Sequence, residues 1–349
     1  MKTLLNLTIL PLLLLLAGTP ATAAKNADYT REIKKEFTVN PDAKLVLENK
    51  FGDIRITATP ENKVTIVVQI TAEARDLETA VKVFEKIRIT FNNTPNLVEA
   101  RTVMDDNIST RGRFSIDYTV SMPVTMSLDA DNRFGDLIAG EIGGKAKLTI
   151  GYGNLQVNRL SNSDNLIDVK FAKANIDWIK GAVMTLKYSE FNTGYAGSLN
   201  LNSSYSDLTA DKTIALDAAF EGGNIEISDL SVITGKSKFS DITIGTLGKK
   251  IEMTNNYGNF TVQTIPVDFA SINVTNSYGN IDLGITRPAS YTLDADMHFC
   301  NLDYDKSSFR ADYLNDSSHD LQVKGTVGTD PKATVKVSSN YGNVSLRNK

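Results

Sequence analysis

Cysteine, histidine and tryptophan are nearly absent from this sequence of 349 residues, which contains one Cys, two His and one Trp. A single cysteine cannot form an internal disulfide, so the fold has to be stabilised by packing. With so few thiol and imidazole groups, the composition argues against most classes of enzyme. A basic excess is also missing, because 37 basic residues stand against 41 acidic ones, a formal net charge of -4. This balance gives no electrostatic signature for binding nucleic acid or anionic lipid.

Long apolar runs are missing as well, except for one at the N-terminus. Lys2 precedes a Leu-rich run from Leu4 to Ala17, and small residues follow at 21–24. This layout is typical of a secretory signal peptide. Polar residues interrupt the run, which is shorter than the roughly 20 apolar residues of a membrane-spanning helix. The sequence therefore predicts an exported protein without a transmembrane span, located in the periplasm, on the outer surface or secreted, with residues 1–24 removed.

The chain contains a short repeat: an aromatic residue, two small or polar residues, then an apolar, any and an apolar residue. Twelve of the 26 Phe and Tyr residues begin such a segment. They are Phe51, Phe134, Tyr152, Phe171, Tyr188, Tyr205, Phe220, Phe239, Tyr257, Tyr278, Phe299 and Tyr341. From Phe134 onward the repeat length is about 19 residues, with a degenerate copy expected at Ser318.

Alternation of side chains around each aromatic position indicates β-strands. Ile272, Asn276 and Tyr278 share one face of an extended strand, but the apolar residues after Gly279-Asn280 are out of phase with them. The chain has to turn at this pair to keep its apolar side chains inward, and Gly and Asn tolerate the positive φ of a turn. We therefore expect the aromatic side chains to stack on one another inside the core. At Phe220, two extra residues precede the next apolar position, which predicts a bulge.

Two architectures can place a similar turn in every repeat, namely a meander of β-hairpins and a β-solenoid. Hairpins make each strand antiparallel to the last, whereas stacked coils need one corner of the same kind in each coil. The repeat length of about 19 residues fits a small coil of short strands. The sequence predicts an all-β fold, a single-stranded β-solenoid of about 11–13 short coils, with core ladders stepping by about 4.8 Å.

A segment without the repeat separates Phe51 from Phe134. Apolar residues at helical spacing, among them Ala80 and Phe84, predict a helix from about residue 76. We expect this helix-bearing insert to cover the N-terminal end of the coils, so that residues 25–125 form an N-terminal coil and cap and residues 126–349 form the repeats. The remaining strand-like segments of the insert are 62–70, 97–104 and 113–121.

Few residues are candidates for chemistry. His298 and His319 are the only imidazoles, and a shared metal or acid-base site with nearby Asp296, Asp303 and Asp320 is one interpretation. A solvated edge is the other, and we favour it. Cys300 occupies a position usually held by Gly or Ser, and Trp178 shares phase with Ile176, so both are expected to be buried. No catalytic, cofactor-binding or metal-binding residue is assigned.

Acidic residues at the corners raise the alternative of an enzyme. Asp53, Asp136, Asp207 and Asp241 could form a carboxylate row like the Ca²⁺ sites of β-helix enzymes that cleave acidic polysaccharides. Stacked Asp and Asn side chains are instead expected to hydrogen-bond along the row. The outward positions show no periodic exposed aromatic platform on which sugars or bases could stack.

The series of aromatic-Gly-Asp/Asn corners, together with the signal peptide and the helix-bearing insert, resembles the bacterial putative-adhesin family of exported β-solenoid proteins. The resemblance covers nearly the whole mature chain and implies a protein on or near the cell envelope, without a family active site. We expect a non-catalytic scaffold that binds at the envelope or cell surface, its partner an envelope or host glycan or a protein. Two alternatives stay open: a β-helix enzyme acting on an acidic polysaccharide, and a periplasmic signalling or stress-linked protein.

Overall fold

The computed structural model describes residues 26–105 and 113–349. In these residues the chain is all-β apart from one helix, and 24 strands belong to one large open sheet. The predicted signal peptide, residues 1–24, lies outside the described residues. The helix has nine residues, and no helix of the described residues is long and apolar enough to cross a membrane.

The elements follow one another along the chain in three groups. The N-terminal group is β1 (Ala27–Thr38), β2 (Lys44–Lys50), β3 (Ile54–Thr59), β4 (Lys63–Ala74), α1 (Leu77–Glu85), β5 (Ile87–Thr94), β6 (Leu97–Met104) and β7 (Phe114–Pro123). The central group is β8 (Ser127–Arg133), β9 (Leu137–Ile142), β10 (Ala146–Gly151), β11 (Asn154–Leu160), β12 (Asn165–Lys170), β13 (Lys173–Lys187), β14 (Glu190–Ser204), β15 (Asp207–Asn256), β16 (Phe260–Ile265), β17 (Ser271–Ser277) and β18 (Ile281–Ile285). The C-terminal group is β19 (Tyr291–His298), β20 (Leu302–Asp303), β21 (Phe309–Asp316), β22 (Asp320–Val327), β23 (Ala333–Asn340) and β24 (Val344–Asn348).

The predicted helix is present as α1. Its N-terminal cap is Asp76, whose side chain accepts a backbone hydrogen bond of 2.8 Å from the first turn. Ala80 and Phe84 are buried as the spacing predicts, but Leu77 at the start of the helix is exposed. The helix packs against β4, β5 and β1, so it lies on the N-terminal group of strands.

Antiparallel strands border the N-terminal end of the sheet. β4 pairs antiparallel with β1 and β7, and β5 pairs antiparallel with β6. On their other sides β6 and β7 continue parallel to β2 and β3. The three strand-like segments of the insert are thereby confirmed as β4, β6 and β7, and β1 is left as an exposed edge strand.

Two alternating parallel ladders make up the central part. β10 pairs with β8 and β12, whereas β11 pairs with β9 and β13, so each strand neighbours the next strand but one in the sequence. Leu148 lies opposite Ile167, and Ala174 lies opposite Phe191. These offsets of 19 and 17 residues are one repeat length, so equivalent positions of successive repeats are neighbours. A meander of antiparallel hairpins is thereby excluded for the central group.

The last two strands are inserted between earlier ones. β23 pairs parallel with both β17 and β19, and β24 pairs parallel with β18 and β20. The intervening β21 and β22 form an antiparallel hairpin, and β22 pairs with β19. The degenerate repeat expected at Ser318 is therefore wrong, because Ser318 lies in the turn of this hairpin.

Apolar side chains of the two ladders form one continuous core. Its largest fully buried members include Tyr118, Phe191 and Phe260. Most other positions are Ile, Leu and Val at alternate residues of the strands, as the period of two predicts. None of the aromatic residues that begin the repeats belongs to this core, except Phe220.

Candidate functional site

Eleven aromatic side chains form two stacked runs, Phe51 to Tyr205 and Phe239 to Phe299, on the outside of the sheet, and together we call them the aromatic ladder. In spatial order its members are Phe51, Phe134, Tyr152, Phe171, Tyr188, Tyr205, then Phe239, Tyr257, Tyr278, Tyr341 and Phe299. Neighbouring ring centres within each run are 4.9 to 5.3 Å apart, and all the pairs are stacked. The predicted stacking is thus confirmed.

The predicted position of the rings inside the core is wrong. Each ring of the ladder is between 38% and 57% exposed. The cause is the backbone, because every ladder residue has a φ between 50° and 64°. In this left-handed conformation the Cβ turns outward, whereas Asn276, two residues before Tyr278, stays inside. Contrary to expectation, exposed aromatic side chains do recur periodically, although neighbouring rings of the ladder cover one another's faces.

The corner therefore starts at the aromatic residue and not at the pair that follows it. The small residue after the ring is required for a different reason, which is close approach between strands. A Cβ on Gly153 would lie 2.0 Å from the carbonyl oxygen of Gly135, and one on Gly279 would lie 1.9 Å from that of Gly258. Contacts this short exclude larger side chains at these two positions.

Buried polar side chains two residues before the ring brace several corners, whereas Ile150, Val169, Leu186 and Met297 occupy this position at four others. Asn49, Asn132, Asn255 and Asn276 are each at most 3% exposed. The Asn255 side chain donates a 2.5 Å hydrogen bond to the Gly258 carbonyl and one of 3.0 Å to Asn276. Asn276 in turn donates to the carbonyl of Gly279. These bonds satisfy corner carbonyls that have no strand partner, and the recurrent Asn two residues before the ring was a sequence signal for them.

The Asp and Asn residues that follow the ladder hydrogen-bond along the stack, as predicted. Asp53 Oδ1 accepts from the Asp136 N–H at 3.0 Å, and Asp136 Oδ1 accepts from the Asn154 N–H at 2.9 Å. The same contact joins Asp241 to Asn259 at 2.7 Å. Oxygens of these carboxylates thus serve as acceptors for the next corner.

Basic side chains border the opposite flank of the ladder. The residue immediately before the ring is basic in five places: Lys50, Arg133, Lys170, Lys187 and Lys238. The ladder is consequently bordered by cations on one side and by acidic and amide groups on the other. It is an amphiphilic stripe, with the ring edges and Tyr hydroxyls outermost.

The ladder is interrupted at one position, where Gly222 replaces a ring. Ser204 is opposite Glu221, which places Gly222 level with Tyr205. A Cβ on Gly222 would lie 3.0 Å from the Tyr205 ring. Phe220, expected in the series, is instead 3% exposed, and it lies opposite the buried Ser203. The bulge predicted here is wrong, because β14 and β15 keep one pairing offset of 17 residues up to Glu221. The two additional residues are Gly222 and Gly223, both of positive φ.

The histidine residues are placed at one end of the ladder. His298 Nδ1 lies 2.6 Å from Asp320 Oδ1, and its Nε2 lies 3.5 Å from Asp296 Oδ1. The hydrogen bond with Asp320, helped by the charge of Asp296, raises the pKa of His298. His319 packs its ring on Phe299 at 4.9 Å and is not part of this group.

All three members of the His298 group are half-exposed. In the described part of the chain, no group of three or more His, Cys, Asp or Glu residues is arranged to hold a metal ion. The arrangement joins strands β19 and β22, and it has the character of a solvated edge rather than a cleft.

Trp178 and Cys300 differ from expectation. Trp178 is only partly buried. It lies in an outer row of side chains, where it stacks on Tyr195 at 5.5 Å and has the Arg159 guanidinium over its other face at 4.2 Å. Cys300 is also partly buried, and its Sγ lies 3.4 Å from the Ser339 carbonyl oxygen. Full burial was therefore wrong for both residues.

No protein-family model matches the chain, and no curated protein matches it. Several solved structures resemble it at low identity. A putative cell adhesion protein from Clostridium sporogenes is 9% identical, with 91% of this chain and 100% of that chain covered and a TM-score of 0.17. A putative adhesin from Bacteroides fragilis is 12% identical, with 91% of this chain and 97% of that chain covered and a TM-score of 0.26. A putative lipid binding protein from Parabacteroides distasonis is 10% identical, with 90% of this chain and 96% of that chain covered and a TM-score of 0.31.

Proposed function

We propose that this protein is an exported, non-catalytic β-solenoid scaffold that binds an extended partner at the cell envelope or surface, as an adhesin does. In this proposal residues 25–125 form the first coil and the cap, and residues 126–349 form the stacked coils. The alternating parallel ladders and their repeat-length offsets support the coil architecture. The single observation that carries the function is the exposed aromatic ladder.

The size of the ladder favours binding. Its rings are about half exposed, so together they present on the order of 1,000 Å² of mostly apolar surface. Contiguous apolar patches on soluble monomers rarely exceed a few hundred Å² unless they bind something. At about 4.8 Å for each step, the twelve positions including Gly222 extend over roughly 50 Å. A surface of this shape suits a linear partner such as a glycan chain or an extended polypeptide.

The backbone conformation supports the same conclusion. A non-glycine residue in the left-handed region costs about 1–2 kcal/mol, and eleven aromatic residues adopt it here. Glycine would form the corner without this cost, as Gly222 does. Strained positions of this kind suggest a role for the side chains beyond shaping the corner.

Binding to arrays of envelope and host glycans and to envelope extracts tests the proposal. The purified protein is compared with a Tyr152→Gly/Tyr188→Gly variant, since glycine keeps the positive φ of the corner. The matched control is Tyr313→Ala/Leu314→Ala, which removes two exposed apolar side chains outside the ladder. We expect the ladder variant alone to lose retention. Shortening of a bound glycan, or equal retention by both variants, would contradict the proposal.

A further inference from the structure

The stacked arrangement leaves few aromatic faces free for a ligand. Within each run, every inner ring is covered on both faces by its neighbours. The two ends are covered as well, because Phe114 packs edge-on against Phe51 at 5.4 Å and His319 packs against Phe299 at 4.9 Å. Along the described ladder, the ring faces without a stacked ring are those of Tyr205 and Phe239, on either side of Gly222.

The register shows the size of this slot. Gly235 approaches Ala218 and Gly245 approaches Ser228, and both pairs are 17 residues apart. The same offset places Gly222 level with Phe239, as it does with Tyr205. Two strand steps therefore separate Tyr205 from Phe239, about 10 Å. A ring midway would lie about 5 Å from each neighbour, within the range of stacked pairs.

A recess adjoins the slot on the same strand. Ala219 is the small residue in an outward row whose neighbours are Asn202 and Lys236, and the cavity over it has a volume of about 590 Å³. Glu221 and Lys238 line the cavity and lie beside the slot. This volume is within the range of small-molecule sites.

The charge of the recess favours an anionic ligand. The Lys238 ammonium lies 4.9 Å from the centre of the Phe239 ring, whose opposite face is stacked on Tyr257. Neither Lys236 nor Lys238 forms an ion pair with a described residue, whereas Lys170 on β12 and Lys173 on β13 do. Two unpaired ammonium groups next to one carboxylate leave a net positive charge at the site.

We propose that the slot and its recess bind one carboxylated pyranose ring, a uronic acid residue of an acidic polysaccharide. The inference rests on the proposed binding function of the ladder and names its ligand. The C–H face of the sugar packs on the negative face of Tyr205. On the other side of the slot, the Lys238 ammonium over the Phe239 ring faces the sugar. The carboxylate pairs with Lys236 and Lys238. The sugar hydroxyl groups form hydrogen bonds with the polar lining of the recess, such as Asn202 and Thr254. An aromatic side chain bound in the slot would leave these polar groups without a partner.

Calorimetric titration of the purified protein with trigalacturonate tests this site. In Gly222→Tyr a ring fills the slot, at a backbone conformation that eleven aromatic residues already adopt. The matched control is Gly140→Tyr, because a Cβ on Gly140 meets nothing within 4 Å. We expect the first variant to lose binding by at least about ten-fold and the second to bind like the parent.

A second variant keeps the test independent of the fold. Lys238→Gln changes one exposed side chain, and we expect it to weaken trigalacturonate binding by about ten-fold. Neutral trigalactose should bind weakly to the parent protein and to Lys238→Gln alike. Equal affinity for the neutral and acidic sugars, unchanged binding in Gly222→Tyr, or preferential binding of an aromatic peptide would overturn the assignment.

The outcome separates the site from the proposed function. If trigalacturonate does not bind the parent, but the Tyr152→Gly/Tyr188→Gly variant still loses retention on envelope material, the slot assignment alone is wrong. If trigalacturonate binds through the slot, but the Tyr152→Gly/Tyr188→Gly variant is retained on envelope material as well as the parent protein is, the proposed role of the remaining ladder is wrong.

Discussion

At the scale of single residues, the ladder depends on a balance between strain and stacking. Tyr278 stacks on Tyr257 at 4.9 Å and on Tyr341 at 5.1 Å, and each stacked pair stabilises by about 0.5–1.5 kcal/mol beyond area burial. Its left-handed backbone costs about 1–2 kcal/mol. The two effects are similar in size, so the net stabilisation by a ladder ring is modest.

Substitution of Tyr278 separates these two effects. We expect Tyr278→Ala to lower the free energy of unfolding by about 1–3 kcal/mol, because stacking is lost and the strain remains. Tyr278→Gly should be about 1 kcal/mol less destabilising than alanine, because glycine relieves the strain. Urea unfolding measures both values. Tyr313→Ala, at a similarly exposed ring, is the control and should change stability by less than about 0.5 kcal/mol.

The opposite ranking, with glycine worse than alanine, would contradict the left-handed conformation of the ladder. A loss near 4 kcal/mol for Tyr278→Ala would instead indicate an enclosed ring.

Residue patterns predicted the stacking of the rings but not their side of the sheet. The spacing of Phe and Tyr fixed the repeat, and Ile272 and Asn276 point inward as their phase requires. If the alternation of side chains along the strand continues to Tyr278, this ring also points into the core, which is the position that the sequence predicts. An aromatic residue rarely has positive φ, so the turn was assigned to Gly279, which tolerates it. Whether Tyr278 or Gly279 carries the left-handed conformation depends on contacts between repeats, which a single strand does not contain.

At the scale of elements, the C-terminal hairpin is attached by a titratable contact. β22 pairs antiparallel with β19, and His298 on β19 faces Asp320 on β22 and Asp296 on its own strand. Gln322 on β22 donates to Asp296 at 3.2 Å, which keeps this carboxylate next to His298. Protonated His298 is therefore held between two carboxylates.

The sign of the pH dependence follows from the raised pKa of His298. The folded protein binds the proton more tightly than the unfolded chain, so the contribution to stability is fully present below the unfolded pKa of about 6.5. It is lost as the pH rises through the higher folded pKa. Because all three groups are half-exposed, the effect is small and confined to the hairpin.

NMR titration of the His298 ring measures this pKa directly. We expect the pKa of His298 to lie above the ordinary histidine value of about 6.5. Asp320→Asn should lower it, since the hydrogen bond with Asp320 is the largest cause of the shift. Asp303→Asn is the control, because Asp303 is not part of the group. A titration of His298 unchanged by Asp320→Asn would show that the contact does not form in solution.

The sequence predicted most elements of the N-terminal insert but not the insertion of the last strands. Helical spacing and strand alternation are local patterns, and they located α1, β4, β6 and β7. The pairing of β23 between β17 and β19 is not local. Repeat counting assumes that neighbours in the sequence are neighbours in space, so it placed a coil at Ser318 where the chain forms a hairpin.

At the scale of the whole molecule, both ends of the parallel ladders are built in the same way. At one end β6 and β7 lie outside β2 and β3 although they follow them in the sequence. At the other end β19 and β20 lie outside β23 and β24 although they precede them. Antiparallel strands β5, β4 and β22 then border β6, β7 and β19, respectively. Such borders cover strand edges that would otherwise pair with other molecules.

This order makes the C-terminus an internal part of the stack. In a simple stack, removing the last repeat removes one interface between repeats. A chain that ends at residue 329 lacks β23 and β24 and loses two such interfaces. These strands pair with β17 and β18 on one side and with β19 and β20 on the other. Their buried side chains include Val335, Val337 and Leu346. At about 1.5–3 kcal/mol for each buried aliphatic side chain, the loss is on the order of 5–10 kcal/mol.

We therefore expect truncation after residue 329 to unfold the segment from β19 to β22, whereas the central strands stay folded because repeats are stabilised by their neighbours. Hydrogen exchange should show protection lost over 291–327 and kept over 146–204. Deletion of β1, an edge strand with no fully buried side chain, is the matched control and should leave the protection of β19 unchanged. If the truncated chain protects β19 as well as the full chain does, β23 cannot lie between β17 and β19. The ladder order from Tyr278 through Tyr341 to Phe299 would then be wrong too, because the same insertion places Tyr341 between the other two rings.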